Sequence, residues 1–182
     1  GGADTLVIFD YGDGTGLTIL RQALENGFFE KFVGGDGMKS DAVINELGAE
    51  NLANFVSSSP VGEKSDSLDI FNEAFKGVGG DPDAIFANTS YDAAFLLALA
   101  LEKTGGKKEG VGAALREVSN GEGEAIRPGE WQKAKELIAA GTAIDYKGAA
   151  GDHNFDAKGD VPGTFALFEV GADGFEVVSE MN

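Results

Sequence analysis

The sequence predicts an α/β fold: a parallel sheet with crossover helices, closed by a β-hairpin near the C-terminal end. Three observations carry this. The first sixty residues alternate short apolar runs with amphipathic stretches, spelling β-α-β-α-β. The first run, Leu6-Val7-Ile8-Phe9, is continuous rather than alternating, which suits a buried parallel strand. Near the far end, residues 164–170 and 175–178 flank Gly171-Ala172-Asp173-Gly174, a hairpin signal.

Taken in order, residues 5–9 form the first strand, and a glycine-rich loop at 10–16 follows. A helix then carries Leu17, Leu20, Leu24 and Phe28 on one face, with Gly27 close to its end. Phe32-Val33 is a second strand that stops at Gly34-Gly35-Asp36-Gly37. Ser40 or Asp41 caps a helix carrying Val43, Ile44 and Leu47, and Phe55-Val56-Ser57 is a third strand. From Pro60 the texture becomes helical. Asp66 or Ser67 begins a helix with Leu68, Phe71 and Phe75 inward. Residues 90–103 make the strongest helix in the chain; Ala94, Phe95, Leu97, Ala98, Leu99 and Leu101 wrap nearly all round it, so burial on most sides is expected. A helix at 109–118 presents Val111, Ala114, Leu115 and Val118. Another has Pro128 in its first turn, presents Trp131, Ala134 and Ile138, and stops at Gly141. No strand is legible between Pro60 and Tyr146. The sheet that these helices need is therefore expected in absent sequence or in a second chain. The opening Gly1-Gly2-Ala3-Asp4, running straight into a strand with no signal peptide, likewise suggests upstream sequence.

Composition removes several function classes. Among 182 residues, 14 Lys+Arg face 31 Asp+Glu, for a net charge of −17. With no basic cluster, nucleic-acid binding is not expected, and an anionic membrane surface would repel the chain. There is no cysteine, which excludes disulfide scaffolds, thiolate metal sites and cysteine nucleophiles. The longest apolar stretch, 93–101, is too short to span a bilayer.

The chemistry-bearing motifs sit at strand ends. Asp10-Tyr11-Gly12-Asp13-Gly14-Thr15-Gly16 lies between a strand and a helix, where α/β proteins bind ligands, and reads either as a ligand-contacting loop or as a flexible turn. A dinucleotide fingerprint would need glycine where Leu17 stands, and there is no phosphate-loop Gly-Lys-Ser/Thr. Gly34-Gly35-Asp36-Gly37 places a carboxylate at the next strand end. It suits an ammonium ligand, or serves as an Asx-turn or helix cap. Residues 152–160 imitate a calcium loop, but Ala157 stands at the sixth position and Gly163 at the twelfth, so a turn into the final hairpin is expected. His153, the one histidine, sits in a polar turn near no serine motif, and no catalytic or metal role is assigned. No cofactor is expected.

Several segments, in order, resemble the Leu/Ile/Val-binding protein family, the type I periplasmic binding proteins. They are the first strand and its Tyr/Gly loop leading to Leu20-Arg21-Gln22-Ala23; Phe32-Val33-Gly34-Gly35-Asp36-Gly37; the strand at 55–60; Ser90-Tyr91-Asp92-Ala93-Ala94; and Phe155-Asp156-Ala157-Lys158-Gly159-Asp160. The resemblance covers nearly the whole chain. It implies half of a fold with two α/β lobes, three crossovers and ligand in the cleft between the lobes. Residues 1–59 would belong to the second lobe and 60–148 to the helical part of the first, with 149–182 the crossover and closing hairpin of the second. It implies that Asp36 pairs with a ligand ammonium group, that the family's loop tyrosine falls at Tyr11 or Gly12, and that Tyr91, at a lobe-facing helix start, is a further candidate. The groups that hold the ligand carboxylate would lie in the N-terminal half. The stretch 124–151 looks longer than in the simplest members, which suggests a subgroup with a different ligand. The implied function is a periplasmic solute-binding receptor of an ABC importer for a branched-chain or related amino acid, non-catalytic, with permease subunits and the N-terminal half as partners. The alternatives are a ligand-sensing regulator or receptor domain on the same fold and, further off, a nucleotide-using α/β enzyme.

Overall fold

The computed structural model describes residues 2–62, 64–82 and 84–181. In chain order the elements are β1 (Thr5–Ile8), α1 (Thr15–Glu25), β2 (Lys31–Gly34), α2 (Asp41–Leu47), β3 (Phe55–Val61), α3 (Asp66–Gly77) and α4 (Ala87–Lys103). Then follow α5 (Val111–Glu117), β4 (Glu124–Ile126), α6 (Trp131–Ala139), β5 (Ile144–Tyr146), β6 (Thr164–Gly171) and β7 (Gly174–Met181). Two compact units result: Gly1–Val61 with Gly163–Asn182, and Gly62–Pro162.

The first unit is a five-stranded sheet in the order β1-β2-β3-β6-β7. β1 pairs with β2 and β2 with β3 in parallel, with Ile8 opposite Gly34 and Phe32 opposite Phe55. The crossovers α1 and α2 cover one face, where Ile8, Leu20, Phe32, Val43, Leu52 and Phe55 form the core. The expected β-α-β-α-β order is thus present. β6 joins β3 antiparallel and turns through Ala172-Asp173 into β7, so the hairpin extends the parallel sheet as an antiparallel edge. Ser40 caps α2, its hydroxyl accepting the Ala42 N–H at 3.3 Å. Phe28 departs from expectation: it is 65% exposed rather than on the buried face. α1 ends at Glu25 in a Schellman motif, in which Gly27 (φ 60°) donates to Leu24 O and Phe28 N–H to Ala23 O at 3.1 Å. The backbone reverses before Phe28 can continue the stripe.

The second unit corrects two expectations. Strands do exist between Pro60 and Tyr146: β4 and β5 form a parallel pair, Glu124 opposite Ile144 and Ile126 opposite Tyr146. Three-residue strands are too short to show a period, which is why the pattern hid them. They bury Ile126, Ile144 and Tyr146 against Leu96 and Leu99 of α4, with Val118 and Ala134 completing the core. So part of the surface that the helices need is encoded in this chain. In turn, α4 is not buried on most sides. Leu96, Leu99 and Ala100 are buried, but Leu97 is 48% and Leu101 40% exposed. No described element covers that flank. Ser65 caps α3 by accepting the Leu68 N–H at 3.2 Å.

Candidate functional site

Parallel strands deliver their loops to one end of the sheet, and here the loops after β1 and β2 are locked together. Gly12 N–H donates to Gly37 O at 2.8 Å. The approach is closer than any side chain permits. A Cβ on Gly12 would lie 2.6 Å from Val43 Cγ2, and one on Gly37 would lie 2.6 Å from the carbonyl oxygen of Asp10. Gly35 N–H donates to Ile8 O at 3.0 Å, continuing the β1–β2 ladder into the loop. From β3, the wholly buried Ser57 donates its hydroxyl to Gly35 O at 2.9 Å. Three neighbouring strands therefore fix the backbone on either side of Asp36.

Asp36 opens a short 3-10 turn, Asp36–Met38. Its Oδ1 accepts the N–H of the next residue, Gly37, at 2.8 Å, so one carboxylate oxygen is engaged by the local backbone. No ion pair among the described residues involves Asp36. No described hydrogen bond engages the second oxygen of this half-buried carboxylate. Tyr11 stands beside it, 55% exposed, with its ring edge against the Gly37 position. Asp10 is engaged within its own loop. It accepts the Thr15 hydroxyl at 2.6 Å and the Tyr11 N–H at 2.7 Å, and these two bonds, the hydroxyl first, hold its carboxyl below the usual carboxylate range. The structure thus brings Tyr11, Gly12 and Asp36 together.

Tyr91 lies in the second unit. Its ring stands between Phe71 and Phe95, with centroids 5.2 and 5.6 Å away, and its hydroxyl oxygen accepts the Gly129 N–H at 2.8 Å. Burial, partly offset by that bond and reinforced by the Asp92 charge, pushes its phenol up. Tyr91 is neutral and already engaged within its own unit.

Two polar residues escaped sequence reasoning. Ser57 was legible only as part of a strand, although a serine at an inward position of an apolar strand is itself a signal. Asp92 sits in the most apolar helix of the chain and is wholly buried. It accepts from Tyr146 Oη at 2.6 Å, Ala149 N at 2.9 Å and Ala150 N at 2.7 Å. Burial and this bond to Asp92 drive the Tyr146 phenol far up. Phe86, which precedes α4, holds the left-handed region at φ 63°, a strained setting for a non-glycine residue.

No group of three or more His, Asp or Glu side chains among the described residues is disposed to hold a metal ion. None of the described helices is long and apolar enough to cross a membrane.

The chain is similar to known proteins in sequence and fold. Residues 2–173 match the family described as the receptor family ligand-binding region. A stretch of 73 residues, 40% of this chain and 18% of the relative, is 37% identical to a chemotactic signal transduction system substrate-binding protein of Halobacterium salinarum. Among solved structures, a leucine-binding protein of Thermotoga maritima superposes with a TM-score of 0.66 at 21% identity, over 98% of this chain and 45% of that one. A branched-chain amino acid transporter substrate-binding protein of Streptococcus pneumoniae, in complex with isoleucine, gives 0.58 at 21% identity, over 97% and 43%. A solute-binding protein of R. palustris in complex with benzoate gives 0.58 at 17% identity, over 97% and 42%. The chain spans less than half the length of these structures. By its matched residues and its α/β topology, the chain belongs to the receptor ligand-binding-region family and carries part of the type I periplasmic-binding-protein fold.

Proposed function

We propose that this chain is the Asp36-bearing part of an extracytoplasmic solute receptor that binds a branched-chain or related amino acid and hands it to an ABC permease. One observation carries the reading: the Asp36 carboxylate stands at the carboxyl end of the sheet with one oxygen bonded to the Gly37 N–H and, among the described residues, no ion-pair partner. An α-ammonium group is the complementary donor, and a charge-assisted bond is roughly twice as strong as a neutral one. Tyr11 supplies aromatic surface next to it, and Gly12 lets the two loops meet. The remaining contacts, those to the ligand carboxylate among them, come from polypeptide outside this chain. Binding rather than turnover is the role. The match to solute-binding proteins supports this.

Calorimetric titration of the full-length protein against leucine, isoleucine and valine tests the assignment. Asp36→Ala is expected to weaken binding at least tenfold, since stranding one member of a buried charge pair costs about 2–5 kcal/mol. Unchanged affinity removes Asp36 from the site. A second reading is favoured by the relative that serves chemotactic signal transduction: the receptor reports ligand to a transducer instead of a permease. Co-purification of the full-length protein with a permease complex or with a transducer separates the two.

A further inference from the structure

We propose that Phe168 and Phe175 hold the Lys39 ammonium group away from Asp36, so that the carboxylate stays unpaired for the ammonium group of the ligand; this rests on the reading of Asp36 as the ligand-binding acid. Asp36 and Lys39 are otherwise natural partners. Asp36 opens the 3-10 turn, and Lys39 ends it, its N–H donating to Asp36 O at 3.1 Å. Side chains three residues apart eclipse each other in such a turn, and opposite charges at that spacing attract. Yet no ion pair among the described residues involves Asp36 or Lys39. The Lys39 ammonium instead lies over the Phe168 ring, 4.6 Å from its centroid, and 5.9 Å from the centroid of Phe175. Both distances fall within the range of about 6 Å over which a ring face attracts a cation. Acids outnumber bases by 31 to 14, so Lys39 does not lack an ion pair for want of carboxylates.

The rings are themselves fixed, and all of these residues belong to the same unit. Phe168 is buried in β6, opposite Ser57, the residue that braces Gly35. Phe175, in β7, packs on the core of the sheet and meets Phe55 edge-on, with centroids 6.4 Å apart. The hairpin thus offers the turn's lysine a resting place on two rings. The consequence is one of populations. A carboxylate occupied by Lys39 cannot take the ligand, and apparent affinity falls by the fraction of the protein so occupied. The rings keep that fraction small.

Calorimetric titration of the full-length protein with leucine at low salt tests the proposal. Phe168→Leu removes the nearer ring, frees Lys39 to close on Asp36, and is expected to weaken binding about fivefold. Adding Lys39→Met to Phe168→Leu is expected to restore affinity to within about twofold of the unaltered protein. Lys39→Met alone is expected not to weaken binding. A packing defect left by the lost ring would not be repaired by removing a charge from another residue. Phe175→Leu is expected to show the same pattern more weakly, and it serves if Phe168→Leu does not fold. The position of the lysine is read separately, without ligand. In protein carrying 13C-labelled lysine, the Lys39 methylene protons next to the ammonium are expected to be shifted upfield by the rings, and to lose that shift in the ring variants. An unshifted Lys39 in the unaltered protein, full affinity in both ring variants, a weakening that Lys39→Met does not repair, or a loss of affinity from Lys39→Met alone would each overturn it. Leucine binding that survives Asp36→Ala would instead remove the site reading itself, while the Lys39 proton shifts would still report where the lysine rests.

Discussion

A methyl group at Gly37 would fall 2.6 Å from a backbone oxygen of the neighbouring loop, a contact that no side-chain rotation relieves. Gly37→Ala is therefore expected to destabilise the protein by about 1–3 kcal/mol, as overpacking does, and to weaken ligand binding by displacing Asp36. Denaturant unfolding and titration of the same variant check both effects; a neutral Gly37→Ala would show that the two loops can separate freely. Asp156 and Asp10 contribute to the acid behaviour. Backbone N–H groups lower the Asp156 carboxyl, that of Asp160 first, and the Thr15 hydroxyl lowers that of Asp10. A carboxyl lowered in the folded state contributes stability that is complete above its unfolded value of about 3.9 and is lost as pH falls through the folded value. Melting temperature is thus expected to fall below about pH 4, and Asp156→Asn to flatten that fall. An unchanged acid slope in Asp156→Asn would locate the acid-sensitive group elsewhere.

Elements were legible where their patterns were long. α1, α3 and α4 announced themselves by apolar spacing, and the hairpin by Gly171 to Gly174. β4 and β5 did not, because three buried residues each carry no period. The start of α4 at Ala87 rather than Ser90 was hidden for another reason: the left-handed Phe86 before it is set by its surroundings and not by its own preference. Which side of α4 is buried is equally a tertiary outcome. Leu99 is wholly buried against β4 and β5, whereas Leu97, two residues earlier, is about half exposed. Leu99→Ala is expected to cost about 2–5 kcal/mol and Leu97→Ala less than half as much, measured by denaturant unfolding. Equal costs would mean that Leu97 is covered in the protein under test.

For the molecule as a whole, net charge adds a long-range term to the contacts. A net −17 on 182 residues creates self-repulsion that the described ion pairs, mostly on the surface, do little to relieve. Raising the salt from 0.05 to 1 M shortens the screening length to about 3 Å, and Tm is expected to rise over that range. A flat or falling Tm would show that the acidic surface is spread thinly enough to be harmless.

The amino-acid sequence by itself determined the α/β class, the crossover order of the first sixty residues, the closing hairpin and the strand-end placement of Tyr11, Gly12 and Asp36. These follow from local periodicity and turn chemistry, which act over a few neighbouring residues. Tertiary structure alone decided that Ser57 braces the Asp36 loop, that Asp92 clasps a segment nearly sixty residues further on, and that two short strands complete the helical unit. Such contacts join residues far apart in sequence, and a buried polar group finds its partner only once the chain has packed around it.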